Sequence, residues 1–396
     1  MAQINGTIFN DNDTVDSNGI LRPALVGDLQ GVPEADSIKG DRGNDILRGL
    51  GGNDVLNGGD GNDLLEGGDG NDRLAGDKGN DTMDGGAGDD LLFWIDGDGS
   101  DVMLGGTGTN DTVQFVGAST VTRPNGSKVP ADDILTLGLD FSSGKVLLKR
   151  TSPGPITLTI DDVEAITVAG VEGNDQLTVG ELAGSDVRLI QFDGFVGNDI
   201  LDGRTSTATI DAKGGSGNDI LMGGNRDDLL KGESGNDALF GGIGSDTLTG
   251  ADTSLAILGR GEQDVLVGGA GPDRFILGDR GGVNNGRRIF YDDGDNIFDG
   301  NNNIFTGMDG VSDFAHIVDF SRSQGDTIQL AGSASDYVIR DLDPRGPLSR
   351  GSVAQVDVGI FKVRPAPLAP DELIAIVQDV GSGTLNLNNR SQFVFV

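Results

Sequence analysis

A single large aliphatic returns every nine residues along much of this chain, set between small and polar neighbours. One series runs Ile38, Leu47, Leu56, Leu65, Leu74, Met83 and Leu92; a second runs Leu221, Leu230, Leu239, Leu248, Ile257, Leu266 and Phe275. Nine is neither the period of a helix nor the alternation of an ordinary strand. It is the period of a repeat. Each aliphatic U occupies a triplet x-U-x, a minimal strand with U inward and its neighbours outward. Between triplets stand glycines and one aspartate, as in Gly43-Asn44-Asp45, Gly52-Asn53-Asp54, Gly61-Asn62-Asp63, Gly70-Asn71-Asp72 and Gly79-Asn80-Asp81. Glycine lets the chain reverse within a few residues. Two repeats make one turn of a flattened helix, so positions eighteen apart stack. The predicted fold is all-β: a parallel β-roll, or β-helix solenoid, of nonapeptide repeats in two blocks. A β-strand insert and a β-rich C-terminal cap complete it.

The segments follow from where the period holds. Residues 1–35 are an N-terminal arm or cap, with short apolar pieces at Ile8-Phe9, Ile20-Leu21 and Leu25-Val26. Residues 36–114 are the first block, whose period loosens at Asp101 and Asp111. Residues 115–162 alternate (Leu135, Leu137, Leu139; Val146, Leu148; Ile156, Leu158, Ile160) and predict a hairpin-rich insert that turns at 141–146. Residues 163–277 hold irregular rungs, with isolated copies at Gly173-Asn174-Asp175 and Gly197-Asn198-Asp199, and then the second block from about 214. Residues 278–396 are a Gly/Asn/Asp-rich excursion followed by strand-like runs in a C-terminal cap. One stretch there, 371–378, starts acidic and predicts a short helix.

Charge changes the picture most. Lys and Arg total 28 against 63 Asp and Glu, a formal charge of -35. Such a chain repels nucleic acid and anionic lipid, and it fits carboxylates neutralised by a cation. Cysteine is absent, so no disulfide holds the fold. No apolar run reaches the length of a membrane span, which argues against membrane insertion. The N-terminus lacks the basic and apolar regions of a signal peptide.

The aspartates two positions before U carry the chemistry. They are Asp36, Asp45, Asp54, Asp63, Asp72, Asp81 and Asp90, and then Asp219, Asp228, Asp237, Asp246, Asp264 and Asp273. Stacked turns bring their carboxylates together with the carbonyls of the turns. An all-oxygen site of flexible geometry suits Ca2+. Pairs eighteen apart number five in the first block (36/54 to 72/90) and three in the second (219/237, 228/246, 246/264). One ion in each of these eight would bring the charge to about -19. Leu255 stands where another aspartate is expected, while Ile257 keeps the U series; this rung reads as a structural turn with weakened metal binding. One aliphatic per nine residues is little apolar burial, so folding and calcium binding are expected to be one event.

These blocks resemble the repeats-in-toxin (haemolysin-type) calcium-binding β-roll, strongly over 36–111 and 214–277 and loosely over 163–213. The C-terminal part is similar to the end module of cyanobacterial secreted surface proteins of this type, such as oscillin. The residues that carry this are Asp313-Phe314-Ala315-His316-Ile317-Val318-Asp319-Phe320, Gly325-Asp326-Thr327-Ile328-Gln329-Leu330 and Asp336-Tyr337. The resemblance implies an extracellular or cell-surface protein exported by type I secretion. The terminal Phe393-Val394-Phe395-Val396 reads either as the apolar end of such a signal or as a last strand.

Little is left over for an active site. One histidine, His316, excludes a two-histidine zinc protease, and no Gly-x-Ser-x-Gly elbow is present. Trp94 is expected to cover the end of the first stack, and Tyr291-Asp292-Asp293 with Asp295 reads as a solvated loop or a further calcium or sugar site. The chain therefore reads as scaffold and not as an enzyme. The expectation is a calcium-dependent structural protein, a homo-oligomer or polymer in a surface layer, sheath or matrix filament. The alternative is a monomeric secreted adhesin or carbohydrate-binding module that meets a surface polysaccharide.

Overall fold

The computed structural model describes residues 3–7, 13–15, 21–23, 29–31, 33–123, 126–251, 262–279, 288–289, 314–342, 357–363, 371–378, 380 and 385–396. Among these residues the only helical element is a short 3-10 turn at Ala334–Asp336; everything else regular is strand. The chain divides into two compact units, residues 1–193 with 205–208, and residues 194–204 with 209–396.

In the first unit the repeats build two sheets. One is parallel throughout and runs Gln3–Thr7, Ser37–Arg42, Val55–Asp60, Arg73–Lys78, Leu91–Ile95, Thr112–Val116, Ala165–Ala169, Leu189–Asp193. The other runs Leu29–Gln30, Ile46–Gly51, Leu64–Asp69, Thr82–Ala87, Val102–Thr107. Register follows the expected step: Ile38 faces Leu56, and Leu47 faces Leu65. The inward residues Leu47, Leu56, Leu65, Leu74, Met83 and Leu92 are all fully buried, so each sheet contributes one aliphatic column to a shared core.

The insert lies in line with the second sheet. Ile156–Asp161 continues it in parallel beside Val102–Thr107. Val146–Ser152 and Ile134–Leu139 then follow antiparallel, and Ile134–Leu139 pairs in parallel with Gln176–Val179. The turn expected at 141–146 is there, closed by the Gly144 N–H donating to the Asp140 carbonyl at 2.8 Å.

The second unit repeats the plan. Thr209–Ser216, Leu229–Ser234, Thr247–Ala251, Arg274–Ile276, Thr327–Leu330 and Phe393–Phe395 form one parallel sheet. Ile200–Asp202, Ile220–Met222, Ala238–Ile243, Gln263–Ala270, Phe314–Ile317 and Glu372–Val377 form the parallel part of the other. Val358–Lys362 and Tyr337–Asp341 extend that sheet antiparallel. Residues 393–395 are thus a rung, with Phe393 buried.

Two expectations change. The helix predicted at 371–378 is the strand Glu372–Val377, flanked by a strand on each side. Leu373 to Val377 are all buried, and a continuous apolar run covered on both faces carries no period that separates strand from helix. Trp94 does not cover an end: Leu91–Ile95 is paired on both sides and the indole is wholly inside, stacked on Phe115 at 4.5 Å. Leu255 and Ile257 of the rung expected at 250–258 lie outside the described residues, as do Tyr291, Asp292, Asp293 and Asp295.

The close stacking leaves no room for side chains at some turns. Gly61 has φ +156°, and a Cβ there would stand 1.4 Å from the Gly43 carbonyl oxygen. Gly138, in the insert, has no atom near its own Cβ position. Gly61→Ala is expected to cost at least ~3 kcal/mol, and Gly138→Ala no more than ~1 kcal/mol, in denaturant unfolding at saturating calcium. Equal costs would contradict the stacking.

Candidate metal centre

Each repeat aspartate stands where its turn enters the next strand, two residues before an inward aliphatic. All thirteen sequence-predicted aspartates are buried. They form columns because each caps the turn before it. The Asp36 N–H donates to Asp54 Oδ1, Asp54 to Asp72 and Asp72 to Asp90, each at 2.7 Å. The second edge runs Asp45 to Asp63 and Asp63 to Asp81, each at 2.8 Å. In the second unit the lines are Asp219 to Asp237 to Asp264, each at 2.8 Å, and Asp228 to Asp246 to Asp273, at 2.9 and 3.0 Å.

The second oxygen is the informative one. Oδ2 of Asp54, Asp63, Asp72, Asp81, Asp90, Asp219, Asp237, Asp246 and Asp273 is buried and accepts no hydrogen bond among the described residues. Burying a carboxylate oxygen without a donor or a cation costs several kcal/mol. Asp228 differs, since its Oδ2 accepts the Gly224 N–H at 2.6 Å.

The space beside these oxygens tests whether a cation fits. A Cβ on Gly49 would stand 2.2 Å from Asp54 Oδ2 and 2.4 Å from the Gly67 carbonyl oxygen. The same cradle recurs at Gly67, with Asp72 Oδ2 and Gly85 O, and at Gly241, with Asp246 Oδ2 and Gly268 O. Glycine therefore keeps open a pocket where a carboxylate and a carbonyl oxygen converge. The donors are all hard oxygens, which suits calcium over softer metals. No three His, Cys, Asp or Glu side chains converge among the described residues; an ion beside these oxygens would meet backbone carbonyls such as Gly67 O and Gly85 O.

Burial also moves the titration of these groups. It pushes Asp63 and Asp72 up to about 6, Asp81, Asp90 and Asp246 up to about 7, and Asp237 up to about 8. The backbone N–H that each accepts pulls the other way, and a neighbouring carboxylate, such as Asp264 beside Asp237, adds to the rise.

Several column members lie outside the regular period. Asp81 and Asp90 donate to Asp101 and Asp111 across steps of 20 and 21 residues, and the Asp111 N–H donates to Glu164 Oε2. Asp133 donates to Asp175, Asp199 to Asp219, and Asp273 to Asp326. The signal for them is the triplet Asp-x-aliphatic, as in Asp111-Thr112-Val113 and Asp326-Thr327-Ile328; the strict spacing hides it. The expected pair Asp246/Asp264 does not form. Asp237 stacks on Asp264 and Asp246 on Asp273, both at a step of 27, and Asp273 has a partner on each side. The asparagine of Gly-Asn-Asp has a role of its own: Asn44 Oδ1 accepts the Asn62 N–H and Asn62 Oδ1 the Asn80 N–H, each at 2.8 Å.

A family model of the RTX calcium-binding nonapeptide repeat, four copies long, matches residues 30–65, 58–92 and 213–248. No curated protein matches the chain. Among solved structures, the extracellular lipase LipA of Serratia marcescens is similar at 15% identity with a TM-score of 0.21, over 90% of this chain and 45% of that one. The chain thus spans less than half of that lipase's length. The matched repeats indicate a calcium-binding β-roll protein. No helix among the described residues is long and apolar enough to cross a membrane.

A carboxyl whose folded pKa lies above its unfolded value binds protons more readily when folded. Its stabilisation is complete below about pH 4 and is lost as pH rises through the values of 6 to 8 given above. In chelator, far-UV circular dichroism should therefore show more β-structure at about pH 5 than at about pH 8. The reverse order would contradict burial as the dominant cause.

Proposed function

We propose that this chain is a calcium-folded structural protein of the cell surface or extracellular matrix, exported by type I secretion, that assembles with copies of itself. The observation that carries it is the run of buried aspartate oxygens without donors in both units. In this reading calcium is held by Asp36, Asp45, Asp54, Asp63, Asp72, Asp81, Asp90, Asp219, Asp237, Asp246, Asp264 and Asp273, with Asp228 offering one oxygen fewer. Each ion would neutralise carboxylates that otherwise repel along the column, so the metal drives the roll closed. The buried acids are spent on the scaffold, and no catalytic role is assigned to them.

Self-association is supported by what the units leave outside. Leu50, Val55 and Ile95 are exposed on the first unit, and Phe195, Val196 and Ile243 on the second. The parallel sheet of the first unit starts at Gln3–Thr7, and a sheet-end strand carries backbone groups able to pair with another copy.

Size-exclusion chromatography with light scattering tests the proposal. Large particles are expected in millimolar calcium and dispersed chains in chelator; a monomer at high protein and calcium concentration would sink self-assembly. Asp63→Asn keeps an acceptor for the Asp45 N–H and removes the charge. It should raise the calcium needed for half-maximal β-signal by roughly tenfold, as expected for one charge-assisted contact. An unchanged midpoint would remove Asp63 from the metal set.

A further inference from the structure

One rung of the first unit closes on a cation that belongs to the chain. Asp133 stands in the column like any repeat aspartate: it is fully buried, and its N–H donates to Asp175 Oδ1 at 2.7 Å. The glycine cradle is there too, because a Cβ on Gly117 would stand 2.4 Å from Asp133 Oδ2 and 3.0 Å from the Gly170 carbonyl oxygen. Here, unlike Asp63 or Asp72, both carboxylate oxygens are taken. Oδ2 accepts the Ala118 N–H at 2.8 Å, and Oδ1 accepts Arg150 Nη1 at 3.2 Å.

Arg150 is 5% exposed, a rare burial for a guanidinium. Its Nη1 also donates to Asp96 Oδ1 at 2.7 Å, and its Nε donates to the Gly154 carbonyl at 2.9 Å. The guanidinium carbon lies 4.9 Å above the ring of Trp94. Two carboxylates, a carbonyl and an aromatic face offset the desolvation that a buried charge otherwise suffers. A calcium ion beside Asp133 would meet this positive charge at close range.

We infer that the Ala118 N–H on the cradle oxygen and the Arg150 charge on the other oxygen together take the place of calcium at the Asp133 rung, so the insert and the strands beside it stay folded when calcium is withdrawn. The inference rests on the reading that calcium closes the other rungs. The insert becomes a calcium-independent nucleus: a tethered guanidinium is present at every calcium concentration, whereas the flanking repeats wait for the ion.

Trp94 is the chain's single tryptophan, and it reports on this rung. The full chain is titrated with chelator while far-UV circular dichroism and tryptophan emission are followed together. The far-UV signal should fall while Trp94 emission stays blue-shifted and shielded from iodide. Hydrogen exchange should stay slow across 134–161 and become fast across 46–87. A red shift in step with the far-UV change would overturn the inference and leave the calcium reading intact. A far-UV signal indifferent to chelator would overturn the calcium reading, and this inference with it. Arg150→Met should make Trp94 emission chelator-sensitive; emission that stays shielded would overturn the role of Arg150. If that variant does not fold in calcium, the wild-type titration decides alone.

Discussion

Everything in this fold hangs on a carboxylate asked to do two things at once. One oxygen of each repeat aspartate caps the backbone of the turn before it, at 2.7 to 3.1 Å along every column. That bond fixes where the next turn sits. In Asp54, Asp63, Asp72, Asp81, Asp90, Asp219, Asp237, Asp246 and Asp273 the other oxygen is buried beside a glycine with no donor to meet it among the described residues. Water cannot solvate it there, so a proton or a cation must. The same residue that makes the stack regular therefore makes it depend on the solution. Because the aspartate lies two residues before the inward aliphatic, the polar and apolar columns keep one register, and a slip in either would misplace both.

The columns tolerate much irregularity. Stacked partners are separated by 18 residues in the regular blocks, by 20 and 21 where the period loosens, by 27 across the Leu255 segment, by 42 across the insert, and by 53 before Asp326. The hydrogen bond is the same each time. Loop-closure entropy grows slowly with length, so a rung can be interrupted if the chain returns to the same capping position. At the 42-residue interruption across the insert the chain brings its own positive charge, Arg150, to the aspartate that awaits it.

Much of this could be read from the chain before any coordinates. The nine-residue beat of Leu47, Leu56 and Leu65 implied two sheets, an eighteen-residue step and a buried core, since one period determines all three. The thirteen in-register aspartates were legible for the same reason. What escaped was whatever depends on contacts distant in sequence. Asp326 hides because 53 residues separate it from Asp273, and Arg150 because nothing near it marks a buried guanidinium. Trp94 looked like a lid because aromatics often end a stack, yet its partner Phe115 lies one rung further on inside the core. Residues 373–377 misled because a strand buried on both faces has no alternation to show.

The central claim is that the second aspartate oxygens face cations, and calcium anomalous scattering addresses it most directly. A crystal grown in calcium and measured at long wavelength would locate each ion without assumption. The account predicts rows of anomalous peaks beside Oδ2 of Asp54, Asp63, Asp72, Asp90 and Asp246, within coordination distance of the facing glycine carbonyls, and none beside Asp133. Columns free of anomalous density, or ions bound only at the protein surface, would contradict it.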